Sequence, residues 1–435
     1  MKKILSIFIF ISSFHVNSQN KQTIDWITNN SIEIEDASPD SKLTIFEQNI
    51  PDKFDNAKIY GFGEASHDTK EFFDIKTKFF KHLVKTQGVK TFIMEASYQA
   101  ESGINEWISG GKGDINTISK NFSFRFLYYK EITNLLLWIR HYNIEKPEEE
   151  QIRFYGMDIQ IGKKINQEIR GFVKKYNLPI SKELLIIADS CSNKKINYGK
   201  PDNWAKTQVP KLKKLEQAIL NSKTNKKIYQ KDLKSAIRSL NYLIKYTQYV
   251  SNTVGFKESS EFRDLKMFEN VKWILENESK NGKAFIWAHN EHINKKEMNY
   301  SGSEIINLGC LLKDYYKEDY YSVGFDFGTG NIKGYLIDKK QGNHWKTYHI
   351  EKPFKKTYAN TLMNVGKDIY FVDLDNAIKN EPSKFFSKKS KHLLIGGGGY
   401  QPKQLHRIMV SKIYAEIYDG LIFVKKISSP NYLNK

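Results

Sequence analysis

Lys58-Ile59-Tyr60-Gly61-Phe62-Gly63-Glu64-Ala65-Ser66-His67 is the stretch on which the fold turns. Its first half is apolar and reads as a buried strand. Its glycines then bring a carboxylate, a hydroxyl and an imidazole onto a tight loop. The residues that follow have a helical period: Phe72, Ile75, Phe79 and Leu83 share one face, and Gly88 stands where a helix C-terminal glycine belongs. Asp68 and Glu71 have capping-box spacing, which sets the helix start near Asp68. Glu64, Ser66 and His67 therefore lie between a strand end and a helix N-terminus, whose positive end favours an anion.

A second stretch repeats this form. Ala284-Phe285-Ile286-Trp287 reads as a buried strand and delivers Ala288-His289-Asn290-Glu291-His292. Thr91–Met94, Arg153–Met157 and Tyr320–Phe325 are also short, apolar and rich in β-branched or aromatic residues, and Asp368–Leu374 and Leu421–Lys425 are further candidates. Helical patterns separate the first three strands, which predicts an α/β fold with a mostly parallel β-sheet flanked by helices. In open sheets of this kind ligands sit beyond the carboxyl ends of the strands. From about 162 to 278 the chain is helical in period, dense in lysine and free of strand signals. This segment is expected to be a helical insertion covering the C-terminal edge of the sheet. The tail Lys426–Lys435 is polar and expected to be loose.

Composition narrows the class. The 435 residues, 40% of them hydrophobic and 14% aromatic, supply a core larger than one minimal domain needs. Residues 1–18 have the form of a signal peptide: Lys2-Lys3, then apolar Ile4 to Phe14, then Val16-Asn17-Ser18 ahead of a cleavage point. Eleven such residues fall short of the about twenty that span a bilayer. Residues 19–435 are then the mature chain, exported to the periplasm or beyond, with no integral membrane segment. Cys191 and Cys310 are the only cysteines, which excludes a disulfide framework and leaves their pairing open. The formal net charge of +19 becomes +17 once Lys2 and Lys3 leave with the leader. The lysines are scattered and no nucleic-acid motif accompanies them, so the charge reads as a solvated surface, not a nucleic-acid site.

The chemistry-bearing residues gather at strand ends. Glu95 closes the strand Thr91–Met94, and a carboxylate there needs a partner; His67 is one candidate, and a lysine or a helix N-terminus is the other. No G-x-S-x-G, H-E-x-x-H or P-loop is present, and Ser66 reads as a turn hydroxyl. Asp326-Phe327-Gly328 is a kinase-like triplet without other kinase motifs, and Gly396–Gly399 suits a turn or a substrate-facing loop. His67, His289, His292, Glu64 and Glu95 are of types that ligate metals, but H-x-x-H is a weak signature, so residue types leave both metal and metal-free chemistry open.

These motifs, taken in order, resemble the erythromycin esterase family. The resemblance runs through Gly63-Glu64-Ala65-Ser66-His67, Glu71-Phe72-Phe73, Met94-Glu95-Ala96, Phe154-Tyr155-Gly156-Met157-Asp158 and Arg263-Asp264. It continues through Trp287-Ala288-His289-Asn290-Glu291-His292, Leu308-Gly309-Cys310-Leu311-Leu312 and Tyr418-Asp419-Gly420-Leu421-Ile422. It implies an erythromycin esterase-like hydrolase domain over 19–435 that opens a macrolide lactone without a metal or other cofactor. It also implies His67, Glu64, Glu95, His289 and His292 as catalytic residues, with Lys76 and Arg263 serving the substrate. Lys76 stands where the family usually has arginine. In the mechanism this suggests, His67 is the general base, Glu64 or Glu95 orients it, and His289 and His292 bind the carbonyl oxygen or protonate the leaving alkoxide. Some of the tyrosines, 25 in number, are candidates to line a broad pocket, and most are expected in the core. Two alternatives stand beside this one: a hydrolase of another cell-envelope or metabolite ester, and an exported basic protein that binds anionic glycans.

Overall fold

A computed structural model describes residues 20–432 apart from 102, 120–127, 223–227, 301, 339 and 341. The proposed signal peptide lies outside the described residues.

Alternation along short apolar strands sorts side chains onto two faces of one sheet. The strands are β1 (Ile32–Glu33), β2 (Ile59–Phe62), β3 (Thr91–Ser97), β4 (Arg153–Asp158), β5 (Ala284–Trp287), β6 (Met298–Tyr300), β7 (Ser303–Ile305), β8 (Tyr320–Leu336), β9 (His344–Ile350), β10 (Ile369–Asp373), β11 (Ser390–Leu393), β12 (Met409–Lys412) and β13 (Gly420–Ile427). The main sheet has nine strands in the order β1-β10-β13-β8-β2-β5-β3-β4, with β9 paired to β8. From β13 to β4 every pairing is parallel; β1, β10 and β9 add antiparallel pairings outside that core. β6–β7 and β11–β12 are separate hairpins.

Tyr60, Phe62, Phe92, Met94, Phe285 and Trp287 face one way and pack on Phe72, Phe79 and Phe80 of the Lys70–Gln87 helix and on Leu135 and Ile139 of the Lys130–Ile144 helix. Ile59, Ile93, Ala284 and Ile286 face the other way, onto Met267, Val271 and Ile274 of the Phe256–Asn277 helix and Leu308 and Leu312 of the Leu308–Tyr316 helix. The connections leaving β2 and β3 thus cover one face, and those entering and leaving β5 cover the other. Neighbours β2 and β5 are where the winding reverses, and a crevice opens beyond their carboxyl ends.

Several elements differ from the sequence reading, each for a tertiary reason. The helix after His67 starts at Lys70, with Thr69 as an N-cap that makes no side-chain capping bond. Asp68 is instead taken by the Tyr129 hydroxyl, and Glu71 accepts from Ser428 N–H (2.7 Å) and Oγ (2.6 Å). Glu71 thereby ties down the tail expected to be loose, and Glu131 accepts from Asn431 Nδ2 (2.8 Å) in the same way. β3 continues past Glu95 to Ser97, with an irregular register after Met94. Such a bulge re-aims side chains, and Glu95 lies in it. β8 runs on through Asp326-Phe327-Gly328, so that triplet is sheet.

Between β4 and β5 the described residues form five helices, Ile165–Tyr176, Lys182–Ser192, Asn203–Leu220, Gln230–Ser251 and Phe256–Asn277. They share a core of their own around Ile169, Ala188, Leu212, Leu215, Leu240 and Leu243. Most of this bundle stands beside β4, while the start of the Phe256–Asn277 helix reaches the strand ends. β4 is an edge strand whose backbone is satisfied by side chains. Asn105 Oδ1 accepts from Phe154 N–H (2.9 Å), Glu101 Oε1 accepts from Gly156 N–H (2.8 Å), and the Tyr242 hydroxyl donates to the Gly156 carbonyl. Cys191 and Cys310 are buried and unpaired.

One asparagine locks the reversal point. Asn290, 2% exposed, donates from Nδ2 to the Phe325 carbonyl (2.7 Å), accepts from Phe325 N–H (3.0 Å) and donates its own N–H to the Glu64 carbonyl (3.0 Å). It joins the ends of β2 and β5 to β8. Gly63 permits this, since a Cβ there would stand 2.1 Å from Asn290 Oδ1. Gly63→Ala is therefore expected to lower stability by roughly 1–3 kcal/mol through forced displacement in a packed interior. Denaturant unfolding of the two proteins measures it.

Candidate functional site

Glu64 leaves β2 pointing into the protein, 3% exposed, and is held between two cations. His67 Nδ1 is 2.6 Å from Glu64 Oε1, and the Lys76 ammonium bonds Glu64 Oε2. Lys76 lies two turns into the Lys70–Gln87 helix, whose side chains lean toward its N-terminus. Its ammonium is out of contact with solvent and 4.0 Å from the centre of the Trp287 ring. Burial pulls the Lys76 pKa down to about 8. Burial also works against the Glu64 charge, but Lys76 and His67 together outweigh it and hold the carboxyl below its usual value. The asymmetry is physical: Glu64 touches two cationic partners, Lys76 one carboxylate.

His67 is under opposing pressures. Burial favours its neutral form, but the bond from Glu64 and the charges of Glu64, Glu95 and Asp68 raise its pKa above 6.5. With Nδ1–H donated to Glu64, the lone pair of the neutral ring is on Nε2. Ser66 Oγ accepts from Asp68 N–H at 3.3 Å, a turn hydroxyl as its position suggested.

Glu95 does not bond to His67. Its Oε1 accepts from Arg263 Nη2 (2.7 Å), and its Oε2 from His289 N–H (2.9 Å). His292 Nε2 is 3.3 Å away. Burial opposes the charge, yet His292 and Arg263 hold Glu95 well below the ordinary carboxylate value. Arg263 is a buried hub: Nε donates to Asp158 Oδ1 (2.9 Å), and Nη2 is shared between Asp158 Oδ2 (2.9 Å) and Glu95.

The two later histidines differ in charge. His289 has both ring nitrogens engaged by backbone: Nε2 donates to the Ile395 carbonyl (3.1 Å) and Nδ1 accepts from Glu291 N–H (3.2 Å). Burial, helped by the charge on His67, lowers its pKa to about 4, so it is neutral. His292 has Nδ1 2.7 Å from Asp264 Oδ1. Burial disfavours its charge, but Asp264 and Glu95 raise its pKa to about 10 against the repulsion of Arg263, so it is a cation.

Four carboxylates (Glu64, Glu95, Asp158, Asp264) thus face three cations (Lys76, Arg263, His292). A proton on His67 would balance the set, so the cluster raises the affinity of the imidazole for a proton. Among the described residues, no group of three or more His, Cys, Asp or Glu side chains could hold a metal ion. His289 has both ring nitrogens on backbone partners, and Nδ1 of His67 and Nδ1 of His292 each face a carboxylate.

A cleft of about 460 Å³ opens at this cluster, lined by His67, Glu95, Arg263, His289 and His292. Glu64 and Lys76 do not line it; they stand behind His67. Phe256, Ser260 and Asp264 of the insertion form one part of its wall, and Leu394, Gly396–Gly399, Gln404 and Arg407 another. No tyrosine is among the described residues that line it. A larger cavity, about 750 Å³, opens beside β4 around Glu101, Arg238 and Trp273, and none of the sequence-selected site residues lines it.

Sequence reasoning missed the Asn290 lock, the hold of Asp264 on His292, and the buried Glu291–Lys412 pair that ties the His289–His292 turn to β12. Asp158 had a legible signal, since it ends β4 as Glu95 nears the end of β3.

Comparisons with known proteins give the family and the fold. The family profile described as erythromycin esterase matches residues 84–427. The chain is an esterase-type hydrolase and belongs to the erythromycin esterase family. The match begins after Glu64, His67 and Lys76, whose placement rests on the geometry above. An erythromycin esterase type II of Escherichia coli is 25% identical over 377 residues, covering 81% of this chain and 88% of that protein. Three solved structures share the fold. A Bacillus cereus protein has a TM-score of 0.79 at 21% identity, covering 95% of this chain and 99% of that one. A succinoglycan biosynthesis protein has 0.76 at 18%, covering 95% and 98%. An erythromycin esterase mutant in its open conformation has 0.67 at 13%, covering 93% and 99%.

Removing one member of a buried ion pair strands the other. Lys76→Met is expected to cost roughly 3–5 kcal/mol in folding stability, and Lys76→Met with Glu64→Gln much less than the sum of the two single changes. A double-mutant cycle by urea unfolding reads this coupling; additive effects would mean that the pair does not hold in solution.

Proposed function

We propose that this chain hydrolyses a carboxylic ester by His67-activated water, and that the ester is a macrolide lactone. The observation that carries the reading is the Lys76–Glu64–His67 line ending at the cleft, with His67 Nδ1 2.6 Å from Glu64 Oε1. His67 Nε2 takes a proton from water as the water oxygen attacks the ester carbonyl carbon. The tetrahedral oxyanion meets the positive field of His292 and Arg263. As it collapses, the C–O bond to the alcohol breaks and His67 returns the proton to the departing alkoxide. The products are an acid and an alcohol; for a lactone they remain one opened chain. Glu64 acts by fixing the imidazole tautomer and stabilising its charged form, and Lys76 acts by fixing Glu64. His289, neutral and bonded to backbone, shapes the cleft and does not serve as an acid. The macrolide reading rests on the family and on the E. coli relative, an erythromycin esterase.

His67→Ala should keep the fold and lower kcat by ~10² to 10⁴. Because His67 must be neutral to act, and its pKa is raised, kcat/KM should climb with pH through an apparent pKa above 6.5. Turnover by folded His67→Ala close to that of the unaltered chain, or a profile flat from pH 5 to 8, would remove His67 as the base.

Catalysis is proposed to be metal-independent and the protein exported, with cleavage after Ser18. No helix among the described residues is long and apolar enough to cross a membrane. One preparation from the full-length gene tests both points. EDTA treatment should leave activity unchanged, and N-terminal sequencing should begin at Gln19. Stoichiometric zinc whose removal abolishes turnover, or a retained Met1, would overturn the respective point.

A further inference from the structure

Gly396-Gly397-Gly398-Gly399 lines the cleft, and the fold requires only the last of the four. Gly399 has φ of +67°, and a Cβ on it would meet the Lys333 carbonyl oxygen at 2.3 Å. Gly396, Gly397 and Gly398 have no left-handed backbone, and a Cβ built on any of them meets no atom within 4 Å. Any small residue fits there as far as the chain is concerned. Glycine in such places loses more conformational entropy on folding than alanine does, and no internal contact explains its use.

Looseness does not explain it either, because the run is anchored. The Gly396 carbonyl accepts from Gly399 N–H (2.8 Å), and the Gly398 carbonyl from Tyr335 N–H (2.9 Å) and Gln401 Nε2 (2.8 Å). An isolated bridge joins Gly399 to Gly334 of β8. In contrast, the N–H groups of Gly396, Gly397 and Gly398 donate to no group among the described residues. A fixed, bare, exposed backbone with three unused donors is what remains on this wall.

We propose that Gly396–Gly398 is the surface against which the bulk of the substrate lies, and that it sets the size of ester the cleft admits. The inference rests on the hydrolytic reading above. The ligand class is a bulky ester or lactone that carries further carbonyl or hydroxyl oxygens. Its ring or acyl portion approaches the backbone to van der Waals distance, and its oxygens accept from the glycine N–H groups. Side chains here enter the volume the substrate needs.

Gly397→Ala and Gly397→Val in the full chain test this. The kcat/KM ratio for a macrocyclic lactone over phenyl acetate should fall about tenfold or more in Gly397→Val, through KM more than kcat, with Gly397→Ala intermediate. The melting temperature of Gly397→Ala should equal or exceed that of the unaltered chain. In a His67→Ala background, calorimetric titration with erythromycin reads binding without turnover, and Gly397→Val should weaken it by a similar factor. An unchanged ratio, a lowered melting temperature in Gly397→Ala, or no erythromycin binding by His67→Ala with the native loop would overturn the proposal. Binding that responds to Gly397→Val in a protein that hydrolyses no ester would sink the hydrolytic reading and leave the size determinant standing.

Discussion

Lys76 sits beneath the sheet's carboxyl edge with no solvent around it, its ammonium on Glu64 and over the Trp287 ring. A lone buried ammonium or carboxylate carries a desolvation penalty of several kcal/mol, so neither residue is tolerable without the other. The rest of the site follows from that mutual need. Glu64 is fixed by Lys76 and turns its second oxygen to His67. His67 is fixed in turn, with its proton on Nδ1. The pair adds little net stability, because the cost of desolvating both charges offsets most of their attraction; it gives the imidazole a defined place and tautomer.

The same economy of partners governs the other half of the cluster. Arg263 satisfies Asp158 and Glu95 at once, and Glu95 holds His289 N–H while lying beside His292. Residues from β3, β4, β5 and the insertion's last helix meet there because each strand carries one polar residue at or just beyond its carboxyl end. Buried charges in such a network depend on one another, so single changes are expected to act on distant members. The excess of carboxylates over fixed cations raises the proton affinity of His67 and ties the electrostatics of the cluster to its chemistry.

Much of this was legible without coordinates. Two apolar strand ends, the first flanked by glycines and each followed by histidine, placed the cleft. The strand and helix periods specified the sheet. The sequence misled where partners came from afar. Asp68 and Glu71 had capping-box spacing, but Tyr129 and Ser428 claimed them. Glu95 was a candidate partner for His67, but a bulge in β3 turns it to Arg263. No tyrosine among the described residues lines the cleft; many are in the core, as most were expected to be, where their rings bury more area than a cleft wall would.

The sequence alone determined which residue types stand at each strand end, because periodicity of two and of 3.6 is a local property of the chain. It also determined the bare glycine run, which no side-chain pattern could disguise. Only the tertiary structure decided which charge meets which. Strand order is not sequence order: β5 inserts between β2 and β3, so His289 and His292 arrive beside residues roughly two hundred positions earlier. Whether Lys76 was a surface lysine or a buried counter-ion depended on the helix face that the sheet covers, and pairing across such distances is set by packing, which no local spacing encodes.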